Sequence, residues 1–346
     1  MHHLAFALIT TFVFGLTLFA ESRISQWISS EPYQANFLYG AQWDEKQPDP
    51  EEVTIVAFGD MMLGRYVRTL MERHGHDYPF EHVPALVDHM LAPENLPEDD
   101  ISPATGAHYH PDFLFANLEG PISTNPYTNP GTAMMFNFRP DVTEMLTKYN
   151  FNLVSVANNH AFDMGEAGEQ ETRQFLTEAG IHHFGHSREI REENVWSTQV
   201  EDTTIAFVGF NHTLHDLLDF DAAAELIASL EEDHDFTIVS IHWGTEYKLH
   251  PNDRQVLQAH QLVDAGADAI IGHHPHVIQS NEVYNGAPIY YSLGNFIFDQ
   301  YFQQNVQEGL GLTLTLKKSS NPDEPNTVHV RETIFDIIRS QPQIRD

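Results

Sequence analysis

Apolar residues along this chain fall into short runs rich in Val, Ile and Phe, separated by stretches in which they recur three or four positions apart. The short runs predict strands at 53–58, 113–116, 153–156, 204–208, 237–241, 269–271 and 289–292. The longer spacing predicts helices near 63–73, 141–149, 166–179, 221–231 and 253–265. This alternation argues an α/β domain whose sheets are covered by helices. The later runs 310–316 and 327–334 read as antiparallel strands, and the Pro- and acid-rich stretch 92–109 as a surface loop. No internal repeat is visible.

Residues 4–20 form a run of 17 apolar, Gly or Thr residues without charge. As a helix it would span roughly 26 Å, just short of a ~30 Å hydrocarbon core. A cleavable signal peptide and an uncleaved membrane anchor both fit, with a buried helix as the competing reading. Either favoured reading places the remainder outside the cytoplasm, as a membrane-anchored, secreted or periplasmic protein. The division expected is a signal peptide or anchor at 1–22, a polar linker at 23–52, one domain at 53–336 and a tail at 337–346.

Composition narrows the chemistry. The chain has 346 residues, and 41% hydrophobic content is that of a globular protein. Its formal net charge is −33, from 50 acidic against 17 basic residues. Such an imbalance repels phosphate backbones, so nucleic acid is not an expected partner. The absence of cysteine removes disulfides, thiolate metal sites and Cys nucleophiles together. A metal would need N and O ligands, and 22 histidines offer a deep pool.

The polar residues of interest stand at the C-terminal ends of the predicted strands, where open α/β sheets place their ligands. Gly59-Asp60 follows the first strand; alone, an aspartate there more often caps the next helix. Asn117 and Glu119 end the second, two apart and on one side if the chain stays extended. Asn158-Asn159-His160 follows the third, offering an amide oxygen ligand beside a proton donor, or else an Asx turn. His242 follows the fifth predicted strand, 237–241, with Glu246 close behind. In Gly272-His273-His274-Pro275-His276, three histidines in four positions are hard to explain as packing. An extended segment would turn His274 and His276 to the same cleft and His273 the other way. Asn295 and Asp299 follow another strand and could line a rim or only a turn, whereas His182, His183 and His186 read as surface or core residues.

Taken in order, Gly59-Asp60-x-x-Leu63-Gly64, Asn117-Leu118-Glu119, Ala157-Asn-Asn-His-Ala-Phe-Asp163, His242-Trp-Gly-Thr-Glu246-Tyr247, Gly272-His-His-Pro-His-Val277 and Gly294-Asn-Phe-Ile-Phe-Asp299 resemble the poly-γ-glutamate capsule biosynthesis family CapA. That family is a branch of the calcineurin-like metallophosphoesterase superfamily. The resemblance implies a four-layer α/β/β/α sandwich with a two-metal centre at the strand ends. Carried over, Asp60 and His276 would hold the first metal, Asn159, His242 and His274 the second, and Glu119 would bridge. His160 would be the general acid, with Asp163 and Glu246 as further catalytic candidates. Two departures stand out. Met62 replaces an expected histidine ligand, and Glu119 replaces a bridging aspartate, so Glu246 is a candidate to rebuild the first metal site. The cofactor implied is one or two divalent ions, among Mn, Zn, Fe and Mg. The role implied lies in capsule or poly-γ-glutamate synthesis or export, with an anionic polymer or small phosphoester as substrate and a membrane-embedded capsule complex as partner. Metal-dependent hydrolysis of another substrate and epimerase-type proton transfer are the alternatives.

Overall fold

The computed structural model describes residues 52–93, 110–126, 134–213, 218–321 and 323–345. The expected signal or anchor at 1–22, nearly all of the linker and most of the 92–109 loop lie outside the described residues. No helix among those described is long and apolar enough to cross a membrane.

In chain order the strands are β1 (Glu52–Met61), β2 (Phe113–Leu118), β3 (Leu153–Ser155), β4 (His182–Phe184), β5 (Val195–Val200), β6 (Thr203–Asn211) and β7 (Phe236–His242). They continue with β8 (Ala269–His273), β9 (Asn281–Tyr284), β10 (Ala287–Tyr290), β11 (Asn295–Ile297), β12 (Glu308–Lys317), β13 (Thr327–Ile338) and β14 (Gln341–Ile344). The helices are α1 (Arg65–His74), α2 (Val83–Leu91), α3 (Val142–Lys148), α4 (Gly165–Glu178), α5 (Phe220–Leu230) and α6 (Asp253–Asp264).

Two sheets result. One runs β14-β13-β12-β1-β2-β3-β4, with β11 also paired to β1; the other runs β5-β6-β7-β8-β10-β9. β1 to β4 are mutually parallel, as are β6, β7, β8 and β10, so within each of these two sets the strands end at the same edge of their sheet.

Three apolar layers explain the stacking. Val56, Phe58, Leu114 and Val154 face out from the first sheet and meet Val67, Leu86, Leu146 and Leu176 of α1 to α4. Ile55, Phe115 and Leu312 face the other way and pack against Phe207, Ile238 and Ile271 of the second sheet. Val208, Ile241 and Ile270 then meet Ile227 and Leu262 of α5 and α6. The order is therefore α/β/β/α, as the resemblance implied. A strand covered on both faces must be apolar on both, which is why β1 reads as a continuous hydrophobic run and not as an alternation.

Several elements differ from expectation. α2 was not anticipated; its Pro84 sits in the first turn, where a missing N–H costs nothing, and reads as a breaker in sequence. Residues 341–344, expected in a tail, instead add β14 to the first sheet, and β13 runs on to Ile338 with Ile337 buried. Gly59 is unmatched in the β1–β2 ladder, because Phe58 pairs with Ala116 and Asp60 with Asn117. This one-residue bulge turns the strand end and re-aims Asp60.

Asp268, just before β8, accepts the Thr237 N–H at 2.7 Å. Burial nevertheless pushes its carboxyl up to about 6, with the Glu231 charge adding to the rise. A folded-state pKa above the unfolded value favours the fold only while the group is protonated, so this contribution fades as pH rises from about 4 through about 6. Asp268→Asn keeps the acceptor. It should be close to neutral at pH 4 and stabilising by about 1 kcal/mol at pH 8 in denaturant titrations.

Candidate metal centre

Asp60, Glu119, His160, His242, His274 and His276 are all buried and meet where the parallel strands of both sheets end. The bulge at Gly59 sets Asp60 beside Asn117, whose Nδ2 donates to Asp60 Oδ1 at 2.8 Å. The other oxygen, Oδ2, accepts the His274 N–H at 3.1 Å and lies 3.2 Å from His276 Nδ1. Burial raises the Asp60 carboxyl, but contacts from His273 and His276 outweigh it and hold the group well below the usual carboxylate range.

Glu119 is the opposite case. It is fully buried, yet neither carboxylate oxygen has a hydrogen-bond partner. Oε1 instead faces three imidazoles: His276 Nε2 at 3.7 Å, His160 Nε2 at 3.9 Å and His242 Nε2 at 4.0 Å. Burial drives its carboxyl well above the ordinary range, and His276 offsets this only in part. A buried carboxylate without partners is costly and calls for a cation.

The histidines reach the centre by turns. His274 and His276 have φ of 96° and 56°, a region that non-glycine residues adopt only at a cost of about 1–3 kcal/mol each. The expected extended geometry is thus corrected: a kinked backbone, and not strand alternation, aims both rings inward. Tyr247, at φ 63°, docks the His242–Tyr247 loop by donating its N–H to Pro275 O at 2.8 Å. That brings Glu246 to His274 and His276, their donor atoms lying within 4.8 Å of one another. Asp60, Glu119 and His242 form a second group of the same size. Glu119 Oε1 stands between the groups, near His276 on one side and His242 on the other.

Neighbouring amides set the tautomers. His276 Nδ1 lies 3.0 Å from Asn295 Oδ1, which leaves Nε2 to face Glu119. Burial would lower His276, but Glu119 and then Asp60 raise it, to about 9. Burial and the His276 charge push His274 down to about 3, and its Nδ1 is without a partner. His242 Nε2 meets Asn159 Oδ1 at 2.9 Å, and burial holds that imidazole neutral. His160 Nδ1 is 2.8 Å from Asp163 Oδ2, while its ring stacks on Phe136 at 3.8 Å between centroids. Carboxylate and aromatic face together fix the ring so that Nε2 points at Glu119.

All nine sequence candidates therefore converge, with Asp163 and Asn159 acting on His160 and His242 respectively. Met62 is fully buried among core residues, its sulfur accepting the Gly64 N–H. Other contributors were not anticipated. His273 does not turn away from the site but lies beneath it, Nδ1 3.5 Å from Asp60 Oδ1 and its ring 6.0 Å from Phe115. Arg65 pairs with Asp299 at the rim, and its charge acts on Glu119. Only a permanent cation directly after the Gly59–Gly64 segment could have drawn attention to it. Phe136 left no signal in the sequence. His182 and His186 stay outside the centre, stacked on Trp196 and near Phe162.

The donor set is carboxylate, amide oxygen and imidazole, which suits a divalent cation of Mn, Fe, Zn or Mg type. Both orphaned Glu119 oxygens and the free His274 nitrogen fit such an ion. The arrangement can hold a cation and present one imidazole, carboxylate-backed, to whatever binds beside it.

Comparison with known proteins follows the same line. The family model described as "Bacterial capsule synthesis protein PGA_cap" matches residues 54–300. The chain is 31% identical over 288 residues to the PGA biosynthesis protein CapA of Bacillus subtilis, covering 76% of this chain and 70% of that protein. It is 28% identical over 307 residues to the capsule biosynthesis protein CapA of Bacillus anthracis, covering 81% and 70%. Among solved structures it is similar to the calcineurin-like phosphoesterase YfkN of Bacillus subtilis, at 13% identity and a TM-score of 0.42, over 82% of this chain and 90% of that one. Matched across most of its length by that family's pattern, the chain belongs to the PGA_cap family of bacterial capsule synthesis proteins.

Proposed function

We propose that this protein is a divalent-metal-dependent hydrolase acting on an anionic polymer of the capsule, poly-γ-glutamate, outside the cytoplasm. The observation that carries the metal is Glu119, a buried carboxylate with two unpartnered oxygens, one of which, Oε1, faces three imidazoles. The polymer is suggested by the names of the relatives, and the location by the apolar run at residues 4–20. A membrane-embedded capsule complex is the partner this location suggests.

Glu119, His242, His274, His276 and Glu246 would hold the cation, with Asn159 as a further oxygen donor. A divalent ion there would lower the pKa of water towards ~7 and offset charge gathering on substrate oxygens. The chain's own residues supply the rest. Asp163 holds the Nδ1 side of His160, so that Nε2 can pass a proton to a leaving group. Asn295 and Asp60 occupy His276 Nδ1 and keep Nε2 towards the centre. Asn117 and the His274 N–H hold Asp60 in place, while His273 and His276 keep it ionised.

One observation favours a second reading, a metal-dependent binder of the polymer that does not cleave it. Asp60 is already satisfied by protein groups and Met62 offers no imidazole, so one half of the ligand shell is thin. Turnover separates the two. Purified protein with Mn²⁺ is expected to cleave γ-linked glutamate oligomers or a phosphodiester, and His160→Ala should slow this by about 10²–10⁴-fold with Mn²⁺ affinity unchanged. Binding of the oligomer without cleavage would favour the second reading. Exchange of substrate hydrogen with D₂O without bond cleavage would instead mark proton transfer. A protein that takes up no divalent metal would sink all three.

A further inference from the structure

Arg65 opens α1 in an unusual state. Its φ is 45°, left-handed for a residue with a side chain, although Gly64 stands next to it and could have taken the turn. The guanidinium is fixed on three sides. Asp299, whose side chain is 7% exposed, takes Nη2 and Nε, the latter at 3.1 Å, and also accepts the Tyr66 N–H at 3.0 Å. Arg65 Cζ lies 4.9 Å from the Phe136 ring and 5.5 Å from the Phe298 ring. Those rings are in turn shared with the centre, since Phe136 stacks on His160 at 3.8 Å and Phe298 lies 4.8 Å from His276. Arg65 is thus held in register with two imidazoles of the site through two aromatic plates.

This much fixation is more than an ion pair at a rim requires. The Asp299 contacts use the Nε and Nη2 edge, and no described residue accepts from Nη1. The side chain keeps 19% exposure, so the residue is reachable from solvent while Nη1 is left without a described acceptor. A guanidinium pre-set on aromatic faces is the geometry that grips carboxylate or phosphate oxygens with little loss of freedom. A chain of formal net charge −33 also repels any anionic ligand at long range, so productive binding needs a local, permanent cation at the mouth.

We propose that Arg65 is the substrate anchor of the centre, its Nη1 edge binding an oxyanion of the ligand, carboxylate or phosphate, beside His160, with Asp299, Phe136 and Phe298 holding it in place. This rests on the reading of the centre as one that takes an anionic ligand.

The test is equilibrium binding of inorganic phosphate and of a γ-linked glutamate oligomer to the full chain, with and without Mn²⁺. Arg65→Gln is expected to weaken at least one probe about tenfold, with Arg65→Lys in between, because an ammonium keeps the charge and loses the fork. Mn²⁺ affinity should stay within about threefold, since binding of the cation is left to other residues. Loss for phosphate alone identifies a phosphoryl ligand; loss for the oligomer alone identifies a polymer carboxylate. Unchanged binding of both probes overturns the anchor, as does wild-type protein that binds neither. A fall in Mn²⁺ affinity parallel to that for the anion also overturns it, making Arg65 a support of the ligand shell. Wild-type protein that takes up no Mn²⁺ overturns the metal-centre reading instead, and the anchor is then judged on anion binding to metal-free protein. If Arg65→Gln does not fold, Arg65→Lys and Asp299→Asn, which frees the guanidinium, carry the same comparison.

Discussion

Saturating Mn²⁺ is expected to raise the melting temperature of the wild-type protein by about 5–10 °C, and Glu119→Gln to remove that rise. A ligand present at a hundred times its dissociation constant stabilises by about 2.7 kcal/mol, and a domain of this size shifts by roughly 2–4 °C per kcal/mol. Glutamine preserves the shape of Glu119 and discards the charge that a cation would meet. In EDTA the order should invert or level, because only the wild-type chain then buries a carboxylate with two unpartnered oxygens. Melting curves of both proteins, each in EDTA and in Mn²⁺, give the four numbers required. An equal Mn²⁺ response in both proteins would place the stabilising ion elsewhere.

Gly59→Ala should cost at least about 3 kcal/mol and yield a protein that folds poorly or melts far below wild type. A Cβ at Gly59 would lie 2.0 Å from Gly294 O and 2.9 Å from Gly294 C, both backbone atoms. The same carbonyl accepts the Asp60 N–H at 3.0 Å, so the two strands cannot separate without breaking the bond that seats Asp60. Gly75→Ala provides the contrast. Nothing lies within 4 Å of its added Cβ, but φ is 110°, so the cost should be only about 1 kcal/mol from backbone conformation. Similar losses for both variants would remove close approach as the explanation at Gly59.

The layers were legible because their physics is local to each strand. Runs such as that of β1, apolar on both faces, announce strands buried between helices and a second sheet. The candidate ligands were legible for the same reason, standing within a few residues of where such a run ends. What escaped notice depends on long-range partners or on backbone turns. Arg65 and Asp299 are separated by 234 positions, and neither signals the other. His274 and His276 were placed together for an incorrect reason, since alternation along a strand would also have sent His273 away from Asp60. The edge strands β9 and β14 are too short, and too mixed in polarity, for a periodic pattern to register.

The donors of the centre are divided between the two sheets. Asp60, Glu119 and Asn159 stand in or just after the ends of strands of the first, while His242, His274 and His276 stand in or just after the ends of strands of the second. The sheets are also joined face to face by apolar side chains, which are non-directional, and by polar links such as Tyr290 and Asn281 to Glu332. An ion seated among these donors would act as a rivet through both plates. Sliding of one sheet would cost coordination bonds before it exposed the core, so the rate at which metal escapes should track the rarest shear motion of the sandwich and not the opening of any single loop.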